Sequence, residues 1–218
     1  MKLRVDKYIL IALFSITSFS KGAVVSLVWE NDVLFKTDYY YSQGVALGFE
    51  HKSFAIPLVC KKIFPASVND SNYSGNICLN NAIYTPQNIR QPVPDIYDAP
   101  YAGLTWLSLS QSGFSGNYLG TCELQLGVLG SASLSEEFQK FIHEVTDNPA
   151  PQGWDYQLSN GPIVNVLLSA NRIKWLSNKR AYGMLGTDIR LGTIHTDFNL
   201  RFRVGGGFGL DAFGFSGS

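Results

Sequence analysis

From Asp197 to Gly205 the chain reads DFNLRFRVG, and every second side chain is large and apolar: Phe198, Leu200, Phe202 and Val204. Asn199, Arg201 and Arg203 fill the places between them. Successive side chains of an extended strand point to opposite faces, so this spacing builds one greasy face and one charged face. Arginine at alternate positions is costly against lipid and comfortable against water. Such a stretch fits the wall of a transmembrane barrel, with lipid outside and a polar lumen inside. Soluble β-sandwiches alternate too. Yet only 16% of this chain is charged, beside 21 Gly, 14 Phe and 11 Tyr, which is thin in charge for a soluble domain.

The same pattern recurs upstream. In residues 41–52, Tyr41, Val45, Leu47 and Phe49 oppose Ser42, Gly44, Ala46, Gly48 and Glu50. In 118–130, Leu124, Leu126 and Val128 oppose Glu123, Gln125 and Gly127, and 182–191 set Asp188 and Arg190 against Leu185, Ile189 and Leu191. Weaker strands read at 23–30, 76–84, 101–113 and 161–171. The expected fold is all-β: an antiparallel, up-and-down outer-membrane β-barrel with about eight strands. The last residues, GLDAFGFSGS, read as the start of a further strand, so the barrel domain is expected to be truncated.

The first residues read as a signal peptide. Lys2, Arg4 and Lys7 precede an apolar core from Tyr8 to Phe14, and small residues follow at Ser18, Ser20 and Gly22. The division is therefore 1–22 signal peptide and 23–218 barrel. That apolar core is too short to be a membrane helix, which needs about 20 residues. Formal net charge is zero, which gives no electrostatic footprint for nucleic acid.

An exported barrel starts on the periplasmic side, so strand parity assigns every connection to a rim. Residues 31–40, 85–100, 131–160 and 192–196 fall outside; 53–75, 114–117 and 172–181 fall inside. Cys60 and Cys78 meet at the inner rim of an oxidising compartment and are expected to pair. Cys122 shares the face of Leu124 and Leu126 and is expected to remain a free thiol.

The longest outer connection holds a helix. Ser133 to Glu136 reads as a capping box, Phe138, Phe141, Ile142 and Val145 recur at helical spacing, and Asn148-Pro149 ends it. Gln139 and His143, at i and i+4, share its more polar side, and the helix is expected over the barrel mouth. The outer rim also receives Asn31, Asp32, Asp38, Ser42, Arg90 and Asp98. A lone histidine on a helix is usually structural. A histidine beside a carboxylate, an amide and a hydroxyl is a candidate for hydrolysis.

Several motifs then occur in one order: END at 30–32, TDYYYSQG at 37–44, DAPYAG at 98–103, LQLGVLG at 124–130, FQKFIH at 138–143 and GWDYQL at 153–158. In this the chain resembles the outer-membrane lipid A deacylase family, LpxR, from about residue 24 to 205. The resemblance implies a twelve-stranded barrel that removes the 3′-linked acyloxyacyl group of lipid A with calcium (Ca2+), acting on lipopolysaccharide at the extracellular side of the outer membrane. It places the catalytic histidine at His143, the Asn-Asp pair at Asn31 and Asp32, and the hydroxyl position, Thr in the family, at Ser42. Arg90 is the candidate for the basic residue of the second outer loop, and Gln139 joins it as a substrate contact. Because calcium prefers hard oxygen ligands, Asp32 with nearby carbonyl oxygens is the expected metal ligand. Where family members commonly carry an acid after the Gln-Leu stretch, this chain has Ser159-Asn160-Gly161. Two other readings stand beside this one: a phospholipase-like barrel esterase, and a catalytically silent barrel.

Overall fold

A computed structural model describes residues 12–20, 23–31, 40–52, 54, 73–176 and 181–206; at 12–20, 31, 40 and 115 it describes the backbone alone. The eight expected strands all form, and the further one expected from the last residues lies outside the described residues. They are preceded by β1 (Ala12–Ser20) and run as β2 (Ala23–Asn31), β3 (Tyr40–His51), β4 (Tyr73–Thr85), β5 (Ala102–Ser115), β6 (Tyr118–Leu129), β7 (Gly161–Leu176), β8 (Ala181–Gly192) and β9 (Asp197–Gly206). They make one antiparallel sheet in chain order, with β1 and β9 at its two edges, open among the described residues. The single helix, α1, spans Ser135–Val145.

The alternation in the sequence becomes two faces. Leu27, Leu47, Leu79, Leu107, Leu126 and Val164 come into register across six neighbouring strands, all of them exposed. On the other face, Gly48, Cys78, Ser108, Gln125 and Asn165 form a polar row, and Asn165 Nδ2 donates to Gln125 Oε1 at 3.0 Å. Further along that face Arg201 pairs with Asp188 at 2.6 Å and Arg190 with Asp197 at 2.8 Å. Arg190 and Arg201 are thus each paired with an acid on the same face.

One phase changes within β3. The β3–β4 register shifts between Tyr41 and Gln43. Beyond the shift, Tyr41 turns to the polar face, where its hydroxyl donates to Glu30 Oε2 at 2.6 Å. Ser42 turns the opposite way and meets Thr85. The expected grouping of Tyr41 with Val45, and of Ser42 with Gly44, is therefore reversed. One residue left out of the pairing is enough, because side chains repeat every second position.

The cysteines also depart from expectation. Cys78 is free and Cys122 is disulfide-bonded; Cys60 lies outside the described residues. Cys78 sits on the polar face, in the row of Ser108 and Gln125, and does not make the expected bond. Cys122 does keep the face of Leu124 and Leu126, but lipid is not what it meets there. Its row contains Gly75 and Gln111, and a Cβ on Gly75 would lie 2.0 Å from the Phe54 carbonyl oxygen. Phe54, just after β3, therefore lies against this apolar-side row, where Gln111 is 1% exposed and Cys122 is 6% exposed. Mass mapping of a non-reduced digest should find Cys122 in a crosslinked peptide and Cys78 alkylated. A crosslinked Cys78 would contradict this arrangement.

Strand β1 consists of residues that also read as the leader. Ala12 stands opposite Asn31 and Ser20 opposite Ala23, a nine-residue pairing. Removal of residues 1–22 would leave β2 as the edge, with unpaired amides and carbonyls wanting a partner.

Candidate active site

Helix α1 is built onto the apolar side of the wall, so the expected place over the mouth is corrected. Its start is held by three hydrogen bonds of 2.8 Å: Asn81 Nδ2 to Ser135 Oγ, Asn81 Nδ2 to Thr105 Oγ1, and Thr105 Oγ1 to the Ser133 carbonyl. Asn81 and Thr105 alternate with Leu79 and Leu107 on one face of β4 and β5, the face of the exposed leucine row. Gly103 makes the close approach possible, because a Cβ there would lie 2.4 Å from both Ser133 Oγ and Ser135 Cβ. The capping box does not form. Leu134 occupies the N-cap position in the left-handed region (φ 57°), and Ser133 Oγ accepts from the Ser135 amide at 3.3 Å instead.

The helix buries a polar stripe. Ser135, Gln139 and His143, spaced i, i+4 and i+8, are buried. Phe141 is 57% exposed and Val145 67% exposed. A water-facing helix would hide its apolar stripe; α1 hides this polar one against the wall and leaves Phe141 and Val145 exposed beside the charged Glu137, Lys140 and Glu144. Phe138 packs inward, on a small core of Ile83, Ile89, Tyr101 and Trp154.

His143 is 3% exposed, and its Nδ1 lies 2.7 Å from the Pro149 carbonyl oxygen. A carbonyl only accepts, so Nδ1 carries a proton; in the neutral ring this makes Nε2 the basic nitrogen, the form a general base needs. The turn that supplies Pro149 is closed by the Asn148 amide donating to the His143 carbonyl at 2.8 Å. One turn earlier, Gln139 Oε1 accepts from Trp154 Nε1 at 2.9 Å.

Ser42 and Thr85, both buried, share a 2.5 Å hydroxyl–hydroxyl hydrogen bond at the α1 end of β3 and β4. The next row inward pairs Asn31 with Gln43, Gln43 with Ile83 and Ile83 with Gly103. The backbone of Asn31 therefore lies in the row that α1 overlies at Gly103, and two strand spacings, about 10 Å, separate it from β4. Its side chain, with all of Asp32 and Asp38, lies outside the described residues. Arg90 is exposed, one residue after Ile89, whose carbonyl accepts from Tyr101 Oη at 3.1 Å. Asp98 is at this end too, but its two oxygens accept from the Gln87 and Ala99 amides at 2.7 Å, so its carboxylate shapes the loop. Sequence reasoning missed Thr85 and Trp154. Trp154 stood inside a quoted motif, GWDYQL, whereas nothing local marks Thr85.

Calcium favours hard oxygen ligands. Among the described residues no group of acids, histidines or cysteines could hold a metal. What the site offers is uncharged oxygen, at Ser42 and Thr85, which suits the ion in kind but leaves the carboxylate to Asp32.

An antiparallel wall with one apolar and one polar face, carrying a helix on the apolar side, defines an outer-membrane β-barrel type of protein. The chain belongs to the LpxR family: the family model described as outer membrane protein LpxR matches residues 8–215. Among solved structures it resembles LpxR from Salmonella typhimurium, with a TM-score of 0.63 at 14% identity, over 77% of this chain and 53% of that one. This chain thus spans about half the length of that structure, and the likeness is one of fold. No curated protein sequence matches it. In an outer-membrane protein the exposed leucine row is the lipid-facing surface, and α1 lies on that side.

Proposed function

We propose that this protein is a lipid A deacylase that hydrolyses the 3′-linked acyloxyacyl ester of lipid A, dependent on calcium, at the extracellular side of the outer membrane. Family membership supports the class. The observation that carries the reading is His143, buried between α1 and the lipid-facing wall with its Nδ1 donating to the Pro149 carbonyl oxygen. A base in that place is reached from the leaflet that holds acyl esters, without passage through the lumen.

Water, hydrogen-bonded to His143 Nε2, gives up a proton to the ring as its oxygen bonds to the ester carbonyl carbon. The tetrahedral oxyanion then collapses, breaking the bond to the sugar oxygen. His143 returns its proton to that leaving oxygen, so a fatty acid and a free hydroxyl result. Asn31 donates to the oxyanion, Ser42 with Thr85 orients the water or the ester, and Gln139 contacts the substrate. Arg90, exposed beside the site, suits a lipid A phosphate. Calcium, held by Asp32, would supply charge against the developing oxyanion when bound.

The test is expression in a host of defined lipid A, followed by mass spectrometry of extracted lipid. Loss of the 3′ acyl groups supports the proposal. Released phospholipid acyl chains would instead indicate the phospholipase-like reading, and an unchanged lipid profile a silent barrel. A chelator, or Asp32→Ala, should reduce deacylation by about 100-fold or more. Full activity in chelator would remove calcium from the mechanism.

A further inference from the structure

Gln139 is 1% exposed, and its Nε2 is buried without a hydrogen-bond partner. Buried amide nitrogens are rarely left so. The amide cannot turn to relieve this. Trp154 Nε1 donates to Gln139 Oε1 at 2.9 Å, and an indole N–H can only donate, so the oxygen must face it. The two N–H groups of Nε2 are thereby turned away from the indole. Trp154 is itself held in place: it is 1% exposed, its ring meets Tyr101 at a centroid distance of 4.9 Å, and it packs with Ile83 and Ile89.

We propose that Gln139 Nε2 is a donor kept for the carbonyl oxygen of the lipid's acyl chain, and that Trp154 is the positioning residue that aims it. Three observations make a neutral carbonyl the fitting acceptor. The indole that fixes the amide belongs to an apolar cluster with Tyr101, Ile83 and Ile89, against which the neighbouring Phe138 packs. Gln139 lies one helical turn from His143, on the same buried side of α1. A phosphate would bring charge next to this apolar cluster, whereas a carbonyl brings only a dipole. The inference rests on the deacylase reading, and it adds the atom, the acceptor and a residue without contact to the substrate.

The experiment compares wild type, Gln139→Met, Trp154→Phe and the double variant on lipid A in mixed micelles with calcium, with folding checked by heat-modifiable gel mobility. Gln139→Met keeps the volume and loses the donor, and should lower kcat by about 100-fold, the size seen for one oxyanion donor. Trp154→Phe should lower it by about 10-fold through misaimed amide alone. Because Trp154 acts through Gln139, the double variant should be no slower than Gln139→Met. Losses that multiply in the double variant would mean that Trp154 is only a packing residue, and would overturn the proposal. Where Trp154→Phe fails to fold, 3-benzothienylalanine at position 154, which keeps the shape without the N–H, makes the same comparison. An inactive wild type would defeat the deacylase reading; an active wild type with unimpaired Gln139→Met would defeat this inference alone.

Discussion

Replacing His143 by alanine should abolish deacylation while the barrel stays folded. General-base catalysis contributes about 100- to 10,000-fold, so residual turnover should fall by that range. The imidazole's described bond is to the Pro149 carbonyl, in the connection after α1 and outside the strand ladders. Its loss leaves that carbonyl unpaired at a cost of about 1 kcal/mol, which a nine-stranded sheet tolerates. Mass spectrometry of lipid A reports the chemistry, and heat-modifiable migration on a gel reports the barrel. Undiminished activity in the alanine variant would rule out His143 as the base.

Gly103→Val should be nearly as damaging, though residue 103 touches no substrate. Ser133 Oγ and Ser135 Cβ lie 2.4 Å from where its Cβ would stand, closer than atoms can approach. The strand itself accepts valine well, so the wall keeps its ladder and the helix has to move. Lifting the start of α1 strains the bonds from Asn81 and Thr105 and carries Gln139 and His143 off the wall. A displacement of about 1 Å at a reacting group can cost about 100-fold. Gly183→Ala, at a position with nothing within 4 Å of its Cβ, is the matched control and should keep wild-type activity. Equal activity of the two variants would show that the seat of α1 does not matter.

Two solvents explain how much could be read in advance. Lipid on one side of a strand and water on the other impose a period of two on residues such as 197–205, and no tertiary knowledge is needed to see it. The helix was legible for a like reason, since Phe138, Phe141, Ile142 and Val145 repeat at its own period. From that came the strands, the two faces and the grouping of Ser42, Gln139 and His143 at one end. The same solvent logic hid which way α1 faces. An apolar stripe is expected to point inward in water, yet Phe141 and Val145 are exposed, and only the bonds from Asn81 and Thr105 show that the stripe of Ser135, Gln139 and His143 is the buried one. The phase of Ser42 escaped because one unpaired residue reverses a strand's faces and needs no glycine or proline to announce it. Cys122 escaped because the chain near Phe54 covers a row that alternation assigns to lipid. Thr85 and Trp154 belong to the site through partners far away in sequence, Ser42 and Gln139. Periodicity carries which face a residue takes; which residues meet across that face depends on how the strands and the helix are brought together.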